Sequence, residues 1–168
     1  VLSGTAILFY GATSLTGNLT TAIGPSAQLT LGPLTSAAAR ILTKTNTGTL
    51  LLGSTSGTLI TGSSLVVNNG TVRLGATNAL GSSGLFNVTL NANSSGANAL
   101  FDLNGFNQSV LGLTFGGAGA TATSTNQITT GAASLSLNGN VTSLNTGNPL
   151  SSFISGNLNL GNVTRTFT

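Results

Sequence analysis

Asp102 is the only carboxylate among 168 residues, and the chain contains neither His nor Cys. The cations are four: Arg40, Lys44, Arg73 and Arg165. General acid–base catalysis usually takes a second titratable group within reach, and glycoside hydrolysis takes paired carboxylates. A lone Asp102 reads instead as a turn or hydrogen-bonding residue. Ser and Thr are abundant, but a hydroxyl becomes a nucleophile only beside a base. Lys44 is the one candidate, and nothing around it marks a Ser–Lys pair. Arg40 and Lys44 read as residues of a solvated face, able to pair with Asp102 or a chain end. Metal sites are built from His, Cys or clustered carboxylates, so no metal and no cofactor are expected. FGGAGAT (115–121) lacks the Lys and the spacing of a phosphate-binding loop and reads as a plain loop. No catalytic residue emerges, and the chain is not expected to be an enzyme.

Binding surfaces are nearly as thin. The net charge of +3 reflects a scarcity of acids rather than a basic patch. Four dispersed cations cannot displace counterions along a nucleic acid, so no nucleic-acid partner is expected. The Thr-rich runs TKTNTGT (43–49) and TATSTNQITT (121–130) invite comparison with the flat Thr arrays of ice-binding solenoids. Such arrays need the same Thr on each coil, whereas these runs fall at different places in the repeat. A glycan is a possible partner for exposed Asn, Thr and aromatic side chains. Tyr10 and the seven Phe, however, read mostly as core or core-edge residues.

The elements that would position any site are short strands. Charged residues make up 3% of the chain, against roughly a quarter in an ordinary soluble protein. Hydrophobic residues reach 39% and the mean hydropathy is +0.38, so a core can form where a disordered chain would lack one. No apolar run approaches the roughly 20 residues of a membrane helix, and no membrane-spanning segment is expected. The absence of an initiator Met and of a charged leader suggests a processed protein or an excised part of a longer one.

A recurring segment dominates the chain: AILFYG (6–11), AQLTLG (27–32), GTLLLG (48–53), GTVRLG (70–75), ALFDLNG (99–105), ASLSLNG (133–139) and GNLNLG (156–161). Their closing glycines are separated by 21, 21, 22, 30, 34 and 22 residues. Each segment alternates apolar and polar positions, the period of a strand with one buried face. Leu29 and Leu31, Leu50 and Leu52, Val72 and Leu74, Leu135 and Leu137, and Leu158 and Leu160 would share that face. Further strands lie at SLVVNN (64–69), NVTLNA (87–92) and SVLGLTF (109–115). Helix signals are almost absent, since the Ala-rich stretch 36–41 is too short to stand alone.

A strand–turn–strand unit repeating every 21 or so residues predicts an all-β parallel β-helix, or β-solenoid, forming a single domain over 1–168. Seven or eight coils at about 4.8 Å each would make a rod on the order of 35 Å long. The two long intervals would be coils with loops pushed out. Asn68, Asn69, Asn104, Asn138 and Asn159 would stack as amide ladders at the corners. An antiparallel meander would repeat about every 8 to 12 residues instead.

ILTKTNTGTLLLG (41–53) resembles the autotransporter-associated β-strand repeat of bacterial surface proteins. The resemblance continues through VVNNGTVRLGATNALGSSG (66–84), FDLNGFNQSVLGL (101–113) and ISGNLNLGNVTRTFT (154–168), about half of the chain. SGTLITGSS (56–64) departs from the Asn-Thr-Tyr segment usual in the family, and the first 35 residues match only in texture. The resemblance implies a right-handed β-helix exported to the bacterial cell surface or medium, with a scaffold or stalk role rather than catalysis.

The ends complete the reading. VTRTFT (163–168) reads as a strand cut short, and VLSGTAILFYG (1–11) would continue it. A solenoid without caps presents unpaired backbone at each end, and neither Pro nor Lys guards these ends. Copies of the chain are therefore the expected partner, head to tail, through Leu2, Ala6, Leu8, Val163, Arg165 and Phe167. The expected function is a building block of an extracellular fibre or stalk. The alternative is the passenger of an adhesin that binds a glycan or host surface.

Overall fold

The computed structural model describes residues 4–54, 59–117, 123–144 and 152–168. The first coil holds β1 (Ala6–Phe9), β2 (Thr13–Leu15) and β3 (Leu19–Ala22), and the second holds β4 (Gln28–Leu31), β5 (Leu34–Ser36) and β6 (Ile41–Thr45). The next two carry β7 (Thr49–Leu52) with β8 (Ser64–Val67), and β9 (Gly70–Leu74) with β10 (Asn87–Leu90). The fifth holds β11 (Asn98–Asp102), β12 (Gln108–Val110) and β13 (Gly112–Gly116). The sixth holds the long β14 (Thr125–Leu137) and β15 (Val141–Leu144), and β16 (Ser152–Asn159) opens another turn.

All pairings between these strands are parallel. One sheet runs β1-β4-β7-β9-β11-β14-β12 with β16 joined to β14, and a second runs β15-β13-β10-β8-β6-β3. A two-stranded sheet of β2 and β5 forms a third side in the first two coils. The fold is thus an all-β solenoid of about six turns, where glycine spacing predicts seven or eight. Seven segments bound six complete turns, and the last segment begins a turn that closes only through a single bridge.

Alternation explains the core. Ile7, Leu29, Leu50, Val72, Phe101, Ile128 and Ile154 stack in one inward column of the first sheet. Leu19, Leu42, Leu65, Val88, Leu113 and Val141 form the facing column of the second. Leu29, Leu31, Leu50, Leu52, Val72, Leu74, Leu135 and Leu137 are buried as the period-2 pattern predicts. Leu160 is not, because it lies beyond the end of β16 on the last turn.

Register departs from the glycine spacing by one residue at the first coil, follows it through the next two coils and departs again later. Ala6 lies on Gln28, Gln28 on Thr49 and Thr49 on Thr71. The segment 133–139 does not overlie 99–105, which is a correction to the glycine alignment. Asn98–Asp102 carries Thr125–Thr129, whereas Leu135 stacks on Gln108. β14 achieves this by turning a corner at Gly131, whose φ of 61° is open to glycine at little cost. The extra residues of the long coils lie between β10 and β11 and between β13 and β14.

The corner Asn residues bond mostly to backbone rather than to one another. Asn69 Oδ1 accepts from the N–H groups of Gly70 and of Asn98 in the next coil. Asn104 Nδ2 donates to the Leu74 carbonyl, and Asn138 Nδ2 to that of Gly84. Asn159 Oδ1 accepts locally from Gly161 N–H. Amide-to-backbone links replace the expected amide ladder because each corner has its own backbone shape.

Candidate self-association surfaces

The N-terminal end is the free edge of β1, which pairs only with β4 among the described strands. Ala6 and Leu8 are exposed on it, with Leu8 turned outward over Thr30. Ile7 and Phe9 point inward over Leu29 and Leu31, and no described strand lies beyond them. Phe9 is 56% exposed and the neighbouring Tyr10 80%. Leu2 lies outside the described residues.

The opposite end is made by β16 and the last six residues. Phe167 bridges Val141 in parallel. Val141 N–H donates to the Thr166 carbonyl at 3.0 Å, Ser143 N–H to that of Thr168 at 2.6 Å, and Thr168 N–H back to Val141 at 3.1 Å. The tail therefore adds a rung to the second sheet and sets Phe167 at the top of its inward column. Val163 is exposed. Arg165 is not on a strand edge: Nη1 donates to the Asn138 carbonyl at 2.8 Å and Nε to that of Leu160 at 3.1 Å. Its charge thus covers corner carbonyls, which the sequence did not lead one to expect.

Sequence reasoning missed β16 as the other half of this edge. Its pairing on Asn126–Thr129 is visible only once β14 is known to turn its corner. Between β16 and the tail opens a cavity of about 500 Å³ whose lining includes Phe115, Val141, Ser143, Ile154, Leu158 and Phe167. Its origin is a change of residue size. Ser143 stands above Phe115 in one inward column, so the last coil leaves room that lower coils fill.

The chemically capable residues are scattered. Asp102 Oδ2 accepts from Arg73 Nε at 2.7 Å. Its Oδ1 accepts from Thr129 Oγ1 in the next coil and from Asn104 N–H in its own turn, each at 2.9 Å. This is the turn and hydrogen-bonding role expected, with Arg73 as partner rather than Arg40 or Lys44.

Lys44 is the departure: it is fully buried, not solvated. It sits in the inward column between Thr21 and Val67. Nζ donates to the carbonyls of Asn46 at 2.6 Å, Thr45 at 2.8 Å and Asn69 at 3.1 Å. Burial pushes its pKa from 10.5 down to about 8. The signal was present in the sequence, because Lys44 has the same parity as the core residue Leu42. Arg40 is partly buried.

On the outer face of the second sheet, Thr20, Thr43, Thr89, Thr114 and Thr142 align in one column, with Val66 interrupting it. The two dense Thr runs contribute only Thr43. Among the described residues no helix is long and apolar enough to cross a membrane. No family model, no curated protein and no solved structure matches the chain.

Proposed function

We propose that this chain is a structural unit of a bacterial extracellular or cell-surface fibre or stalk, assembling by end-to-end stacking of its coils. The reading includes a right-handed winding and kinship with the autotransporter-associated β-strand repeat. One observation carries it, the distribution of exposed apolar side chains. Eight of the eleven large ones among the described residues cluster at the ends. Leu8, Phe9 and Tyr10 stand at the first coil, and Leu144, Phe153, Leu160, Val163 and Phe167 at the last. Only Ile41, Ile60 and Leu85 lie elsewhere.

Contiguous exposed apolar surface marks interaction sites. The eight end residues expose on the order of 800 Å² of side chain, scaled from the 150–250 Å² that an aromatic buries. A specific interface takes about 1,200–2,000 Å² in total, and two sheet edges supply the balance with unpaired backbone groups. Little charge opposes the approach of two rods, since formal net charge is +3 over 168 residues. The role is mechanical, with columns of Leu and Val and continuous parallel ladders giving a stiff rod.

Electron microscopy of the chain at neutral pH without additives tests this. The expected result is filaments with a subunit rise of about 30 Å, the length of six strand spacings. A uniform population of single short rods at micromolar concentration would overturn it.

A further inference from the structure

One inward column runs the length of the rod and changes size along the way. Phe9, Leu31, Leu52 and Leu74 stack in register. Continuing each register by one residue adds Leu103, Thr130 and Gly156. The column thus begins with its largest residue and ends with its smallest.

The last position is held empty by construction. A Cβ on Gly156 would collide with the Thr130 hydroxyl, and the φ of 115° there disfavours any other residue. The same hydroxyl accepts from Asn157 N–H at 2.9 Å, which locks the corner. The cavity of about 500 Å³ is walled by Ile154 and Leu158, two residues to either side of Gly156, and by Phe167. At the other end Phe9 has Leu31 below it and is 56% exposed, with no covering strand among the described residues.

From this we infer that Phe9 of a second copy is the occupant of the C-terminal cavity. It sits above Gly156, with its β1 paired in parallel on β16. The inference rests on the end-to-end reading above and adds its register and its anchor. Three observations select a second copy as occupant. The free strands β1 and β16 belong to the same sheet, so the pairing extends an existing ladder. The inward parity is preserved, with Ile7 following Ile154 as it precedes Leu29. A large apolar knob at one end meets a side-chain-free position at the other. Tyr10, the only Tyr in a chain without Trp, would be carried into the same junction.

The experiment is sedimentation velocity over a concentration series on four proteins, with Tyr10 fluorescence recorded in parallel. They are the wild type, Phe9→Ala, Ile154→Phe and the double variant. Phe9→Ala should raise the concentration for half-assembly about tenfold or more, as loss of a buried aromatic anchor does. Ile154→Phe fills the cavity from its own side and should also block assembly. The double variant should recover a substantial part of the wild-type behaviour. Far-ultraviolet circular dichroism checks that each variant folds, which Phe9→Ala should, since that side chain covers little of its own core. A wild type that never assembles overturns both this inference and the end-to-end reading. Assembly unchanged by Phe9→Ala, or a double variant no better than either single one, overturns the anchor and leaves stacking standing.

Discussion

The Lys44 ammonium donates to the main-chain oxygen of Asn69 at 3.1 Å, joining the corner of one coil to that of the next. Two more carbonyls, of Thr45 and Asn46, complete its shell. The one carboxylate of the chain is paired with Arg73 instead. A buried cation held only by carbonyl dipoles is incompletely compensated for the water it lost.

Stability should therefore rise with alkaline pH. Lys44 titrates near 8 in the folded chain and near 10.5 when unfolded. Below pH 8 it is charged in both states and the burial penalty is constant. Between about pH 8 and 10.5 the unfolded chain binds the extra proton, so raising pH favours the folded state. The full gain is on the order of 3 kcal/mol, from about 1.4 kcal/mol per pKa unit. Urea unfolding at pH 7 and pH 10.5 should show the midpoint moving upward, and Lys44→Met should remove that movement. A wild-type midpoint that falls over this range would contradict the assignment.

Gly70 closes the same corner with φ 76°. A Cβ there would stand 2.7 Å from Lys44 Nζ and 2.6 Å from the Gly48 carbonyl. Gly70→Ala should cost about 2–4 kcal/mol, combining overpacking with a left-handed backbone. Gly105→Ala, where φ is also positive but nothing lies within 4 Å, should cost less. Equal losses in denaturant melts would show that contact plays no part.

Asp102 invites a graded series. Its ion pair with Arg73 is largely at the surface, where such pairs contribute about 0–1 kcal/mol. The bonds from Thr129 in the next coil and from Asn104 in the same turn come from neutral donors. Asp102→Asn should therefore cost under about 1 kcal/mol, and Asp102→Ala about 1–2 kcal/mol as those donors lose their acceptor. A large loss in the Asn variant alone would mean that the charge matters more than the turn.

The alternation itself is testable. Phe101 is fully buried at the middle of its column, and Phe101→Ala should cost about 3–5 kcal/mol. Ile41 is an apolar strand residue on the outward face, 42% exposed, and Ile41→Ser should stay within about 0.5 kcal/mol. Thermal or urea melts that rank the two the other way would mean the inward and outward faces are misassigned.

The sequence alone determined the parallel solenoid and the inward face of most strands. Side-chain direction in a strand is a parity rule, so Leu50 and Leu52 must share a face whatever else the chain does. The same rule already placed Lys44 with Leu42 inside; charge suggested otherwise, and the three corner carbonyls that make burial tolerable were not visible from spacing. The strand 6–9 was legible but its register was not: counting back from Gly11 and Gly32 sets Leu8 on Leu29, where the structure sets Ile7. Tertiary structure decided what depends on counting through loops of unequal length. It set Leu135 over Gln108 rather than over Phe101, brought β16 to the open edge beside Phe167, and left a cavity where Ser143 follows the larger Phe115 in its column. The reason is that parity repeats every two residues and survives any insertion outside a strand, whereas register is the running sum of every residue between coils.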